Sequence, residues 1–327
     1  MRILITGGAG FIGSNLAEQL LQDKRVSTVR VLDNLATGSL KNIEPFLANP
    51  HFEFIEGDIR DYATCLAACD GIDMISHQAA LGSVPRSIND PLTTNAVNIT
   101  GTLNMFTAAK EKNIKRVIYA ASSSTYGDHP DLPKMEDTIG NPLSPYAVTK
   151  YVNELYARVY ANLYGMELVG LRYFNIFGPR QNPNGPYAAV IPLFAEALLN
   201  NTPPTINGDG THSRDFTYVS NAVQANILSL FTENKEALNQ VYNIACGQQT
   251  SLLELFDGLK KETVISLQPL HGPERKGDVK HSLADISKAR ALLGYEPGVS
   301  VKEGLKMTMA WYRNEGKTEG RIDDYIT

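Results

Sequence analysis

Apolar residues recur along the first half of the chain in two alternating rhythms. Short, mostly apolar runs at 2–5, 28–32, 52–56, 74–77, 116–120 and 167–172 have the length of buried strands. Between them, 14–22, 63–68, 95–112 and 145–164 carry apolar positions at helical spacing. Strand and helix repeated in that order predict an α/β protein with a doubly wound, Rossmann-like parallel sheet.

After Arg172 the rhythm breaks. Pro179, Pro183, Pro186, Pro192, Pro203 and Pro204 punctuate short segments, and Asn-Gly and Asp-Gly turns fall within 207–210. Strands are expected again at 216–219 and 240–244, flanking a helix at 220–231. Further helices are expected near 251–261, 286–293 and 301–312, with a polar, mobile tail beyond Gly316. The predicted organisation is a nucleotide-binding domain from 1–174 and 216–246. A smaller α/β substrate domain is expected from 175–215 and 247–327. No internal repeat interrupts this reading.

Composition narrows the class. The 327 residues are 43% hydrophobic and 20% charged, enough for a large core without disulfide or metal staples. A formal net charge of −5 offers no basic footprint for nucleic acid, so an anionic ligand needs a few placed arginines and helix N-termini. Cys65 and Cys69 stand four apart in CLAAC and read as two small helical hydrophobes, with too few ligands nearby for a metal. With Cys246 they suggest a reducing, cytoplasmic compartment. Residues 2–5 lead straight into a functional-looking loop, leaving no room for a signal peptide, and no run has the length of a membrane span.

Gly7, Gly10 and Gly13 lie between the first strand and the first helix, in TGGAGFIG. Glycines there permit a tight turn and close backbone approach, while the helix N-terminus can hold a pyrophosphate. Alone the loop is weak, because glycine turns after strands are common. Asp33 ends the next strand, twenty residues beyond Gly13. A carboxylate there can accept hydrogen bonds from ribose hydroxyls and would repel a 2′-phosphate, which favours NAD over NADP. Its plainer reading is a turn residue before Asn34. Asp58, after the third strand, and Gln78-Ala79-Ala80, after the fourth, fit the same site as an adenine contact and a close-approach segment. Each of these is also ordinary strand-end chemistry.

Ser122, Ser123 and Ser124, then Tyr126-Gly127, follow the fifth strand. Ligands of open parallel sheets bind beyond the carboxyl ends of strands, so these hydroxyls should face a cleft. Downstream, Tyr146 and Lys150 share one face of a helix. A free tyrosine has a pKa near ~10. A neighbouring ammonium and a positive nicotinamide both favour the phenolate, giving a base usable near neutrality. A tyrosine and a lysine on an amphipathic helix are otherwise unremarked surface chemistry, and the order of loop, acid, serines and YxxxK sets this pair apart.

In that order the chain resembles the extended short-chain dehydrogenase/reductase superfamily, within its UDP-hexose 4-epimerases. The motifs run from GGAGFIG through DNLATG, GDIRD, QAA, SSSTYGD, SPYAVTK and LRYFNIFGPRQ to NGDGTHSRDF and ERKGDVKHSLADISKA. The resemblance is nearest to epimerases of UDP-N-acetylhexosamines and their uronic acids. It implies Tyr146 as catalytic base, Ser122 on the sugar O4, Ser123 against the sugar, and Lys150 on the nicotinamide ribose. It implies cofactor contacts at Gly7, Gly10, Phe11, Ile12, Gly13, Asp33, Asn34, Thr37 and Gly38, then at Asp58, Ile59, Gln78, Ala79, Ala80, Asn95 and Tyr173. The sugar nucleotide would meet Gly82, Ser83, Asn175, Ala189, Val190, Asn207 and Asp278, with Arg214 and Arg275 clamping the diphosphate. Aromatic residues that the family carries near Phe194 and Thr205 are replaced. Ser282 stands where the family lines the pocket beside the C2 substituent. A homodimer through a four-helix bundle is implied, built from 95–112 and 145–164, and Tyr156, Tyr160 and Tyr164 form a candidate stripe for its seam.

Three neighbouring functions compete. Nucleotide-sugar 4,6-dehydratases carry Asp-Glu where Ser123-Ser124 stand, and UDP-glucuronate decarboxylases carry Glu at the Ser124 position. Neither acid is present. A noncatalytic NAD sensor on the same scaffold would not need Tyr146, Lys150 and the serines intact. The expected activity is therefore UDP-N-acetylglucosamine/UDP-N-acetylgalactosamine 4-epimerisation, with UDP-glucose or UDP-N-acetylglucosaminuronate as alternative substrates.

Overall fold

The computed structural model describes residues 1–184, 188–273 and 280–318. The strands β1 Arg2–Thr6, β2 Thr28–Asp33, β3 Phe52–Glu56, β4 Met74–His77, β5 Arg116–Ser122, β6 Glu167–Tyr173 and β7 Val241–Ile244 form one parallel sheet. Their order is β7-β6-β5-β4-β1-β2-β3, which makes the gap between β1 and β4 the switch point of the winding. Strands covered on both faces need apolar residues at consecutive positions, and Ile3, Leu4 and Ile5 are all fully buried. Their side chains alternate between two cores. Ile3 and Ile5 pack into one with α1 Phe11–Leu20, and Leu4 packs into the other with α2 Tyr62–Ala68.

The second core also receives Cys65, Cys69 and Phe106, so the two cysteines are helical hydrophobes as expected. After β4 the chain forms α3 Val84–Asn89, α4 Pro91–Asn95, a π-turn over Ala96–Gly101 and α5 Thr102–Glu111. The single helix expected over 95–112 is thus interrupted. The wide turn accompanies the burial of Asn98, whose Oδ1 accepts from the Leu81 N–H at 2.8 Å while its Nδ2 donates to Thr149 Oγ1 at 3.1 Å. Then α6 Pro145–Tyr164 starts with Ser144 accepting from the Ala147 N–H and Pro145 in its first turn. It ends at left-handed Gly165.

Beyond β6, residues 176–177 pair with 217–218 outside the main sheet, so the strand expected at 216–219 shrinks to two residues. The chain continues through α7 Val190–Leu199, α8 Val219–Phe231, α9 Leu252–Lys260, α10 Ser287–Leu293 and α11 Val301–Thr318. The last helix runs past the expected end at 312, and the rest of the tail lies outside the described residues. Helix α8 packs beside α1 under the sheet, while α7, α9 and α11 contact one another. The pairings of 205–207 with 270–272 and of 213–214 with 250–251 stitch the two substrate-side segments together. Fully buried Asp215 ties that unit to the sheet edge by accepting from the N–H groups of Cys246, Gly247 and Ala284. No helix among the described residues is long and apolar enough to cross a membrane.

Candidate active site

The glycine loop is built by close contacts. A Cβ at Gly13 would stand 2.2 Å from the Gly7 carbonyl oxygen, and Gly7, at φ +69°, lies against the backbone of Ala79. Gly10 caps α1 with no side-chain hydrogen bond, and the first turn carries no acid. The helix N-terminus is left to polarise whatever lies before it. Asp33 is buried at the end of β2, with Oδ2 accepting from the Ala9 N–H at 2.9 Å and Oδ1 from Leu35 at 2.8 Å. Burial raises its carboxyl above the usual range, and these N–H groups oppose that. Asp33 therefore shapes the loop as well as ending the strand.

Asp58 is held by Arg60 and by the Asn34 amide, at 2.7 Å each, and these contacts pull its carboxyl down to about 2. Ile59 turns its side chain into the core against Gly101. Thr37 and Gly38 line a cavity of about 520 Å3 with Phe11 and Arg180, and Gly38 packs against the Ala9 backbone of the glycine loop. Asn95 is exposed and absent from the linings of the cleft cavities; the asparagine that braces the cleft wall is Asn98. Residue type and spacing alone did not separate the two. The cue available was a poor helix former three residues before Gly101.

A cleft of about 880 Å3 opens at the carboxyl ends of β4, β5 and β6. Ile12, Gln78, Ala80, Gly82 and Ser83 line one side, and Ser122, Ser123, Tyr146, Lys150 and Tyr173 the other. Gln78 Oε1 accepts from the Tyr173 hydroxyl at 3.0 Å, and Asn226 binds both residues. Behind them His77 bridges Thr6 and Thr102 through its two ring nitrogens. Burial, with Lys150 nearby, pushes its pKa down to about 3, so it remains neutral.

Lys150 is buried, donates from Nζ to the Ala120 carbonyl at 2.8 Å, and lies 5.9 Å from the Tyr146 ring centre. Burial lowers its pKa to about 8. Tyr146 is raised above its ordinary value by burial, and a hydrogen bond from Ser122 works the other way. In the protein by itself desolvation is the larger influence on Tyr146, and the expected preference for the phenolate draws on the nicotinamide charge as well as on the lysine.

Two further compartments adjoin the cleft. One of about 580 Å3 is lined by Asn175, Val190, Asn207 and Arg214, with Phe194 and Thr205 at its wall. Phe194 is nearly fully buried and meets Phe256 edge-on at 6.0 Å. The other, of about 540 Å3, joins Ser123 and Ser124 to Arg214 and Ser282. Asn175 borders all three spaces, and Ala189 caps α7 at their junction. Arg275 and Asp278 lie outside the described residues.

A parallel sheet with a glycine-loop helix at its switch point, and a Ser-Tyr-Lys constellation at the strand ends, defines a dinucleotide-dependent enzyme of the extended short-chain dehydrogenase/reductase type. The uncapped α1 terminus, the Asp33 carboxylate and the close glycine-to-Ala79 packing all fit NAD. The chain belongs to the NAD dependent epimerase/dehydratase family, whose model matches residues 3–245, and its relatives place it among the UDP-sugar 4-epimerases. A putative UDP-glucose 4-epimerase of Methanocaldococcus jannaschii is 38% identical, covering 97% of this chain and 100% of that one. The solved UDP-N-acetylglucosamine 4-epimerase of Methanobrevibacter ruminantium, in complex with UDP-N-acetylmuramic acid, is 40% identical. Its TM-score is 0.89, over 96% of this chain and 98% of that one. The Thermus thermophilus UDP-glucose 4-epimerase complex with NAD is 35% identical with a TM-score of 0.85, over 96% and 99%.

Proposed function

We propose that the protein interconverts UDP-N-acetylglucosamine and UDP-N-acetylgalactosamine by reversible oxidation at C4. The observation that carries the choice of sugar is Ser282. It borders the compartment that also holds Ser123, Ser124 and Arg214, and as a small residue it leaves that wall open. An acetamido group needs several heavy atoms of space that a packed pocket does not readily yield.

Bound NAD supplies the hydride acceptor and donor for C4. The protein's own groups do the rest. Tyr146 takes the O4 proton as the 4-keto sugar forms and returns it after the sugar has turned about its diphosphate. Ser122 donates to O4, and Lys150 holds the nicotinamide ribose with its ammonium. Arg214 anchors the diphosphate while Asn175, Ala189, Val190 and Asn207 hold the nucleotide, and Gly82 and Ser83 form the wall facing the sugar. Firm holding of UDP with loose holding of the hexose is what a turning intermediate requires.

The same reading includes a homodimer. Of the tyrosine stripe, Tyr160 turns inward, bonding Thr107 at 2.8 Å and standing 5.8 Å from Phe106 within the chain, while Tyr164 is 50% exposed. Outward apolar residues on α6 include Val148, Leu155, Val159 and Leu163, with Leu92, 82% exposed, on neighbouring α4. They recur at helical spacing and suit a bundle seam.

Incubation of the purified protein with UDP-N-acetylglucosamine should yield UDP-N-acetylgalactosamine by chromatography, faster than UDP-glucose yields UDP-galactose. A protein that turns over UDP-glucose alone would assign it to the non-acetylated pair.

A further inference from the structure

Ser122 Oγ has one hydrogen to give and two lone pairs to fill. The Ser124 N–H donates to it at 3.2 Å, and the Ser124 hydroxyl lies 2.8 Å from it. On its other side Ser122 faces the cleft that Tyr146 also lines. If both Ser124 hydrogens enter the two lone pairs, the Ser122 hydrogen has only the Tyr146 side left. We propose that Ser124 is a positioning residue that fixes the single Ser122 hydrogen toward the cleft, where it is given to Tyr146 in the free enzyme and to the sugar O4 once the sugar is bound. The reading rests on the proposed 4-epimerisation, and it adds a residue that never has to touch the sugar itself.

The local structure is suited to this. Ser122 ends β5 in extended conformation and caps the short 3-10 turn Ser123–Tyr126, so Ser124 returns to it after one residue. The charged and titratable groups facing Tyr146 are few. Lys150 lies on its own helix, Tyr173 on β6, and neutral His77 behind on β4, while Lys134 and Arg214 border the adjoining compartment. Ser124 is the neighbour that reaches Ser122 with both its N–H and its hydroxyl, so the direction of the Ser122 hydroxyl depends on Ser124.

Removing the Ser124 hydroxyl frees the Ser122 hydrogen to turn away. The Tyr146 phenolate then loses an assured donor, and its ionisation moves to higher pH. Ser124→Ala should shift the acid limb of kcat/KM, which reports the enzyme before the sugar binds, upward by about one pH unit, a shift that corresponds to losing one such interaction. KM for the UDP-sugar and NAD content should be unchanged, and Ser124→Thr should restore the wild-type limb. An ultraviolet difference titration of the NAD-bound protein, with Tyr146→Phe as baseline, reads the same shift without any sugar. That arm tests Ser124 even if the sugar has been assigned wrongly. An unshifted limb and titration in Ser124→Ala would overturn the proposal. So would a raised KM at an unshifted pH profile, which would make Ser124 a sugar contact. If the alanine variant fails to fold, Ser124→Cys, whose thiol is a weak donor, should show an intermediate shift; a wild-type limb there overturns the proposal equally.

Discussion

Lys150 donates from Nζ to the carbonyl oxygen of Ala120 at 2.8 Å, two residues before Ser122 on the same strand. Tyr146, proposed as the general base, Lys150 and Ser122 are thereby joined by one strand end and one helix face. Burial brings the lysine's pKa from 10.5 to about 8. Its charge is present below that value and lost as pH rises through it. Turnover should therefore fall above about pH 8, and Lys150→Arg, whose guanidinium stays charged, should keep its rate, however reduced, across that range. A fall near pH 8 that persists in the arginine variant would assign the limb to another group.

Tyr146 lines the cleft together with Ser122 and Lys150. Tyr146→Phe should lower kcat by about two orders of magnitude or more. The melting temperature and the NAD content should stay those of the wild type. Turnover within a few fold of wild type would remove Tyr146 from the chemistry.

The helix that carries the base is anchored from behind. Arg172 on β6 and Glu154 on α6 form a two-point ion pair, Nε to Oε1 at 2.9 Å and Nη2 to Oε2 at 2.8 Å, with 4% and 7% of the side chains exposed. Glu154→Leu would leave a buried guanidinium without its partner, at a cost of about 3–5 kcal/mol. Denaturant unfolding should show that loss, whereas replacing an exposed pair such as Arg290–Glu296 should cost about 1 kcal/mol or less.

The sheet was legible because parallel strands covered on both faces write short, mostly apolar runs, as 3–5 and 28–32 do. The Tyr146, Lys150 and Ser122 grouping was legible because helical spacing and the strand-end rule each place a side chain without knowledge of packing. What periodicity could not supply was a choice between chemically similar neighbours. Asn95 and Asn98 differ by one helical turn, and only the π-turn decides which is buried. The tyrosines of α6 had the spacing of a seam, but Phe106 and Thr107 on α5 claim Tyr160 for the interior. Asp215 was passed over for its neighbour Arg214, since nothing local shows that three distant N–H groups converge on its carboxylate.

The outward apolar face bears on assembly. Leu155 and Val159, 41% and 47% exposed, stand one turn apart on α6. Leu155→Glu with Val159→Lys should convert the expected homodimer to monomer in light scattering at micromolar concentration, because charge on a seam must be desolvated. A wild-type protein that is already monomeric would refute the seam.

Ser282 gives the sharpest test of the sugar. Its N–H donates to the Ser213 carbonyl at 3.1 Å, so its backbone is held beside Arg214 rather than free in a loop. The same compartment reaches Ser123 and Ser124, which places any bulk added at 282 within the space that adjoins the serine strand end. A tyrosine adds an aromatic ring to that space, and overfilling a packed site costs about 1–3 kcal/mol, or roughly tenfold or more in affinity. Ser282→Tyr should therefore suppress turnover of UDP-N-acetylglucosamine and UDP-N-acetylgalactosamine while sparing or improving that of UDP-glucose and UDP-galactose. The kcat/KM ratio for the two pairs is the quantity to measure, since a general loss of folding or of NAD lowers both and leaves the ratio unchanged. If the variant still epimerises the acetylated pair as well as the wild type does, selection at C2 lies with another wall of the cleft.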